Sequence, residues 1–528
     1  MAKRFGVMLD MSRNAVMKPS EVKKFALTLK KLGYNMIQLY TEDTYEIPEE
    51  PYFGYLRGRY TQAELKDIVN YCNGIGVEVI PNIQTLAHLK QIFKWHEYVN
   101  INDTGDIMLV GEERTYTLIE NMFRSLRESF TTDYIHIGMD EAHMLGLGAY
   151  KYKHGIRNRF DIIYEHLKRV LEIAKKYNFK PIMWSDMFFR LANNDRYYTN
   201  DPDVITDEVV AACPEGVELV YWDYYSTDKT HYDNMITAHK KFGRDTWFAG
   251  GAWTWKGLVP DNKFTIDSMT PAMKSCKEGG VENIFLTMWG DDGKECSFYA
   301  LLPSLYTVRR LYDGEEDIEK IKGEFKEITG FDYDDIKAFD MGIEVGEEKQ
   351  KSPTKFMLYT DPFFGFIDPI SKENAPEVYA RLRDKFLPLA DKGELGYLFA
   401  HYAALCDLLT VKHSLGIRTR AAYEKGDKAA IKAIAEDYTV CAEKAKVFLK
   451  KFRTLWYTEN KPNGFEIQEY RLGGLICRLE ALKERLLDYA NGKIESLPEL
   501  EEKILEYNNW AKSGIWSTVA TVNVVSHV

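Results

Sequence analysis

Eight short apolar runs alternate with helix-patterned segments over the first 300 residues, and this alternation restricts the fold more than any other feature. The runs are RFGVMLD (4–10), NMIQLYTED (35–43), VEVIPNIQTL (77–86), YIHIGMDE (134–141), PIMWSDM (181–187), ELVYWDYY (218–225), TWFAGGAW (246–253) and NIFLTMWGDD (283–292). Each reads as a strand buried on both faces of a parallel sheet. In the first helical segment Val22, Phe25, Ala26, Leu29 and Leu32 follow the helical period, and Gly33 supplies a stop. The second opens with the capping-box pattern Thr61-Gln62-Ala63-Glu64 and places Leu65, Ile68, Val69 and Cys72 on one face. A third, over 161–177, turns Ile163, Leu167, Val170, Leu171 and Ala174 inward. Eight strands alternating with helices predict an α/β fold of the (β/α)8 barrel type over residues 1–313. An open doubly wound sheet is the rival, weakened because no Gly-rich fingerprint follows the first run.

The remaining chain has a different texture. At 528 residues two to four domains are expected, and a large barrel pulls that toward two. Residues 314–374 read as a connecting segment. Residues 375–528 read as a helical domain, with long charged helical stretches and no strand-like run between them. The closing STVATVNVVSHV, β-branched and alternating, predicts an edge strand or a docked tail. The corner FRTLWYTENKPNGFE (452–466) reads as a helix–loop junction. Its functional alternative is a reach toward an active-site mouth. A helical domain without chemistry of its own predicts packing against a second copy, so a homodimer is expected, with Trp456 near that mouth.

Composition narrows the function. The net charge of −11 argues against nucleic-acid binding. No run approaches 18 consecutive apolar residues, so no membrane span is expected. MAKRFGVMLD has a basic start but no apolar core, so no secretory leader is expected. Seven dispersed cysteines without a CxxC pair suggest free thiols, and a cytoplasmic location. No metal-ligand spacing, P-loop or GxSxG stands out, so neither metal nor cofactor is expected.

In a (β/α)8 barrel the chemistry sits at the C-terminal ends of the strands. Those ends offer Asp10, Arg13, Glu42, Asp43, His88, Asp140, Glu141, Asp186, Asp223, Tyr225, Asp291 and Asp292. Trp184, Trp222, Trp253, Trp255 and Trp289 join them, five of the chain's ten tryptophans. Any one polar strand end is ordinary, but tryptophans among carboxylates suggest a pyranose stacked between rings with its hydroxyls read by charges. Asp140-Glu141 is the centre. Adjacent side chains on a strand point to opposite faces, so both enter one pocket only if the strand ends there. Repulsion between them couples their protonation and lets one act as acid while the other stays ionised. His136 reads as structural.

YIHIGMDE resembles the His-x-Gly-x-Asp-Glu motif of family 20 glycoside hydrolases, the β-N-acetylhexosaminidases. Arg13 in MLDMSRN, Asp43 in YTED and His88 in IQTLAH fall near that family's first-, second- and third-strand residues. Trp184, Trp222 and Trp289 match its pocket tryptophans, and Asp291 stands where the family often has a glutamate. The likeness covers roughly residues 4–313 and is closest to the short, hexosaminidase D-like branch, because the chain starts at the first strand. Met139 replaces a frequent glycine, and the usual strand-7 tyrosine and aspartate are not evident in FAGGAWTW, so Tyr225 is the substitute.

The resemblance implies substrate-assisted hydrolysis. The sugar's acetamide attacks its own anomeric carbon, Glu141 is acid then base, and Asp140 orients the acetamide. It further implies that Tyr225 holds the acetamide oxygen and that Trp253 and the other tryptophans pack on the ring. Arg13, Asp43 and Asp291 read hydroxyls, and His88 meets the acid pair or a hydroxyl. The expected partner is a glycan or glycoconjugate ending in β-linked N-acetylhexosamine. A two-carboxylate barrel glycosidase, for example Glu141 with Asp291, and a catalytically dead sugar-binding protein are the alternatives.

Overall fold

The computed structural model describes residues 2–341, 353–506 and 515–523. Its first unit is Met1–Trp253, Asn262–Trp289 and Leu302–Tyr333, and its second is Thr254–Asp261, Gly290–Leu301 and Asp334–Val528. The units are therefore interleaved in sequence, with the segments that follow the seventh and eighth barrel strands counted in the second unit.

The first unit is a closed barrel of eight parallel strands: β1 (Arg4–Asp10), β2 (Met36–Tyr40), β3 (Glu78–Asn82), β4 (Tyr134–His136), β5 (Lys180–Trp184), β6 (Glu218–Trp222), β7 (Thr246–Gly251) and β8 (Asn283–Met288). β1 closes against β8 with Arg4 opposite Asn283, which removes the open-sheet rival. Met8, Met36, Ile80, Ile182, Val220, Trp247 and Phe285 fill the interior, so the barrel is a packed core rather than a pore. Between the strands, α1 (Pro19–Lys31) buries Val22, Phe25, Ala26 and Leu29. α2 (Gln62–Gly74) carries the capping box: the Thr61 hydroxyl accepts from Glu64 N at 3.1 Å, and Glu64 accepts from Thr61 N at 2.9 Å. α3 (Arg159–Lys176) buries Ile163, Leu167, Val170 and Ala174, with Leu171 half-buried.

Several strands end earlier than their apolar runs. β4 stops at His136, and only Asn82 and His136 pair across β3 and β4. The reason lies in the backbone. Past the strands, Glu42 (φ 45°), His88 (58°), Met139 (71°) and Glu141 (53°) enter the left-handed region, which breaks a ladder. Gly138, also at φ 70°, has no alternative residue. A Cβ there would lie 2.0 Å from Gln84 Oε1 and 2.9 Å from the Ile83 carbonyl.

In the second unit α4 (Ala375–Phe386), α5 (Gly396–Glu424), α6 (Lys428–Glu459) and α7 (Phe465–Ala490) pack each against the next. Trp456 belongs to this core. It is fully buried, its Nε1 donates to the Lys461 carbonyl at 3.0 Å, and its ring packs on Phe452 and Phe465. Trp456 is thus a packing residue of the helical unit. A buried ion cluster ties the segment after β8 to the helices. Lys355 lies 2.7 Å from both Asp292 and Glu295, and Arg471 meets the same two carboxylates at 3.0 and 2.9 Å. The predicted terminal strand is not one: Trp516–Ala520 is a short helix, and residues 524–528 of that expectation lie outside the described residues. Residues 342–352 of the connecting segment also lie outside them.

Candidate active site

Six side chains from the first four strand ends form one polar chain. Arg13, three residues past β1, places Nη1 2.6 Å from Glu42 Oε1. The Tyr40 hydroxyl, at the end of β2, donates to the same oxygen at 3.0 Å. Gln84, two residues past β3, donates from Nε2 to Tyr40 at 3.1 Å and to Asp140 Oδ1 at 2.8 Å, and its Oε1 accepts from Met139 N at 3.2 Å. His88 Nε2 completes the chain 3.2 Å from Asp140 Oδ2 and 3.7 Å from Glu141 Oε2. The bend at Gly138 thus does what the sequence required of it and brings Asp140 and Glu141 off the strand to one imidazole.

The two acids have opposite surroundings. Asp140 is buried, whereas the Glu141 side chain is 47% exposed. Burial alone would favour the neutral form of Asp140, but the His88 charge and the Gln84 amide hold its carboxyl below the usual range. Burial likewise opposes a charge on His88, yet Asp140 and then Glu42 raise it to about 10. Burial raises Glu42 despite Arg13. Behind the pair, Asp186 Oδ2 accepts from Glu141 N at 3.5 Å and from Arg190 Nε at 3.4 Å, and its Oδ1 has no partner among the described residues. Burial and then the Asp140 charge push Asp186 up to about 7. His136 is buried, accepts from Gly138 N at 3.1 Å, and is lowered by burial to about 3.

Asp43, the acid nominated from the second run, faces elsewhere. It is 1% exposed and lies 3.0 Å from Arg57 Nε, so the acid that joins Arg13 and the His88 cluster is Glu42. The aromatic residues divide similarly. Trp184 and Trp253 are buried: the first packs 4.4 Å from the His136 ring, and the second donates to the Tyr224 carbonyl at 3.1 Å. Trp222 and Trp289 are half-buried, with Trp289 edge-on to Tyr40 at 4.8 Å and Trp222 stacked on Tyr224 at 5.3 Å. Tyr225 is 47% exposed and stands edge-on to Trp253 at 5.4 Å, whereas the Tyr224 hydroxyl is buried and bonded to Trp289 and Thr287. Asp291 is exposed, in the segment assigned to the second unit. Sequence reading passed over Tyr40 and Gln84, whose only signal was polarity at the end of an apolar run.

Ligand atoms of His88, Asp140 and Glu141 lie within 4.8 Å of one another, a spacing suited to one small cation as well as to proton chemistry. Among the described residues no helix is long and apolar enough to cross a membrane, and all seven cysteines are free.

Known proteins resemble this chain in both its barrel and its helical part. The description "Glycosyl hydrolase family 20, catalytic domain" matches residues 5–207, and "Glycoside Hydrolase 20C C-terminal domain" matches residues 332–517. Hexosaminidase D of Bos taurus is 24% identical over 262 residues, 46% of this chain and 68% of the relative. Hexosaminidase D of Homo sapiens is 25% identical over 237 residues, 43% of this chain and 46% of the relative, so the chain spans less than half of that protein. Among solved structures, Flavobacterium johnsoniae chitobiase aligns with a TM-score of 0.47 at 15% identity, over 98% of this chain and 77% of that one. With one family description on the barrel and a second on the helices, the chain belongs to glycoside hydrolase family 20.

Proposed function

We propose that the protein is an exo-acting, retaining β-N-acetylhexosaminidase that releases terminal β-linked GlcNAc or GalNAc through an oxazolinium ion. The observation that carries this reading is the division of labour built into the acid pair. Asp140 is buried and kept ionised between His88 and Gln84, while Glu141 stands open to ligand 3.7 Å from the same imidazole. A fixed anion suits the acetamide N–H, whose nitrogen gains positive charge as its oxygen attacks the anomeric carbon. An exposed carboxyl suits proton delivery to the departing oxygen and proton removal from the incoming water. The acetamide oxygen forms the new C–O bond while the glycosidic C–O bond breaks, and water later reopens the ring with net retention.

The remaining roles follow from position. Tyr225 offers a half-exposed hydroxyl to the acetamide oxygen. Trp222 and Trp289 offer ring surface, backed by buried Trp184 and Trp253. Arg13 with Glu42 reads hydroxyls, and His88 sustains the charge on Asp140. The substrate is a glycan or glycoconjugate with a terminal β-N-acetylhexosamine, handled by a cytoplasmic homodimer. The test is hydrolysis of 4-nitrophenyl β-GlcNAc and β-GalNAc beside the plain β-glucoside. Cleavage of an acetamido sugar with the glucoside untouched is expected; equal cleavage of the glucoside would overturn the reading.

A further inference from the structure

Glu141 sits in a turn that its own backbone does not favour. It is left-handed at φ 53°, two residues after Met139 at 71°, and a residue with a side chain keeps that conformation only where its surroundings impose it. The turn closes on itself, with His143 N donating to the Glu141 carbonyl at 2.6 Å. Both of its ends are gripped from outside. At the near end Asp186, the first residue of the short helix Asp186–Ala192, accepts from Glu141 N at 3.5 Å through Oδ2. At the far end Arg159, which opens α3, donates from Nη1 to the His143 carbonyl at 3.1 Å. The two grips are joined. Arg190 donates to Asp186 Oδ2 from Nε at 3.4 Å and to the Asp195 carbonyl from Nη1 at 2.8 Å, and the Asp195 carboxylate accepts from Arg159 Nη2. The contacts make a closed ring through Glu141, Asp186, Arg190, Asp195, Arg159 and His143. The Asp186 side chain in it is 0% exposed, and those of Arg190 and Arg159 are 17% and 20% exposed.

Asp186 lies within electrostatic reach of Asp140 and Glu141, yet the reaction described above gives it no role. A side chain with no exposed surface touches no substrate, so whatever it does for the chemistry it does through its neighbours. We propose that Asp186, tied through Arg190 and Asp195 to Arg159, is a positioning residue for the general acid, fixing the left-handed turn from which the Glu141 carboxyl reaches the departing oxygen. This rests on the preceding reading of Glu141 as the acid. Asp140 has holders of its own in His88 and Gln84, so a loosened ring misplaces the acid and spares the acetamide side of the site. A misplacement of about 1 Å is enough to cost up to about 10²-fold in rate. Only one oxygen of Asp186 is used, since Oδ1 has no partner among the described residues, so an amide in its place keeps the grip on Glu141 N.

The experiment compares the full-length wild type with Asp186→Ala, Asp186→Asn, Arg159→Ala, Glu141→Gln and the double variant Glu141→Gln/Asp186→Ala. Three readouts are taken: kcat/KM on a β-linked N-acetylhexosamine disaccharide, whose leaving group needs a proton, kcat/KM on the 4-nitrophenyl glycoside, whose leaving group does not, and the inhibition constant of a thiazoline analogue of the cyclised sugar. Asp186→Ala should lose about tenfold on the disaccharide, a part of what general acid catalysis supplies, and less than about threefold on the nitrophenyl glycoside. The thiazoline should bind as before, and Asp186→Asn should recover most of the loss. Arg159→Ala should show the same selective loss more weakly, and it decides the matter alone if Asp186→Ala does not fold. The double variant should be no worse on the disaccharide than Glu141→Gln, because residues that act as a unit are not additive. Equal losses on the two glycosides, none on the disaccharide, or additive losses in the double variant would overturn the positioning role while leaving the hydrolase reading intact. A wild type inactive on both glycosides would remove both readings.

Discussion

Glu141 and Asp140 are adjacent in the chain yet separable by substitution. Glu141→Gln should lower turnover at least ~10²-fold on substrates with poor leaving groups, the usual scale of general acid catalysis. The loss should shrink on an activated phenolate, which departs without a proton; equal loss on both would remove the acid role. Asp186 gives a second test, in stability. A carboxyl raised to about 7 in the folded protein, from about 3.9 in the unfolded chain, costs stability as pH climbs between those values. Asp186→Asn keeps an acceptor for Glu141 N and Arg190 without that cost. Its melting temperature relative to wild type should therefore rise by several degrees between about pH 4 and 7 and then stay level. A gap independent of pH would contradict the buried placement of Asp186 and its partnerless Oδ1. His88 carries the opposite sign. Its stabilising charge should be fully present below about pH 6.5 and fade as pH passes about 10.

Elements were legible where local rules suffice. The capping box of α2 was visible in four residues, and Thr61→Ala should cost about 1 kcal/mol, read as a lower urea midpoint with unchanged slope. Helical periodicity marked the inward residues of α1 and α3, because the pattern repeats within one element. Strand starts were legible for the same reason, but strand ends were not. The apolar runs continue past the last ladder bond, and only the backbone turn at residues such as Met139 and Glu141 ends them. Long-range polar pairing left no local trace at all. Arg471 meets Asp292 across 179 residues of sequence, inside a cluster of two cations and two carboxylates. Arg471→Met leaves that cluster with excess negative charge in a buried place and should destabilise by roughly 3–5 kcal/mol. A change below ~1 kcal/mol in equilibrium unfolding would show that solvent screens the cluster.

At the scale of the whole molecule, the eight-run alternation was enough to specify the barrel, since closure is what eight βα units require. The acid pair was legible for a similar reason: a strand that must end delivers both side chains to one mouth. What the sequence concealed was which neighbour of a pair faces inward. Glu42 and Asp43 differ by one position, and the left-handed turn at Glu42 decides that Arg13 meets the first and Arg57 the second. The proposed reaction makes one demand on the entire assembly, that the attacking oxygen belongs to the substrate. The direct measurement is kcat/KM across 4-nitrophenyl β-GlcNAc analogues whose N-acetyl group carries zero, one, two or three fluorines, each of which makes the acetamide oxygen a poorer nucleophile. Substrate assistance predicts a steep fall with every added fluorine at constant leaving group. A flat series, with a fluorosugar trapping a covalent adduct on a carboxylate of the protein, would contradict it.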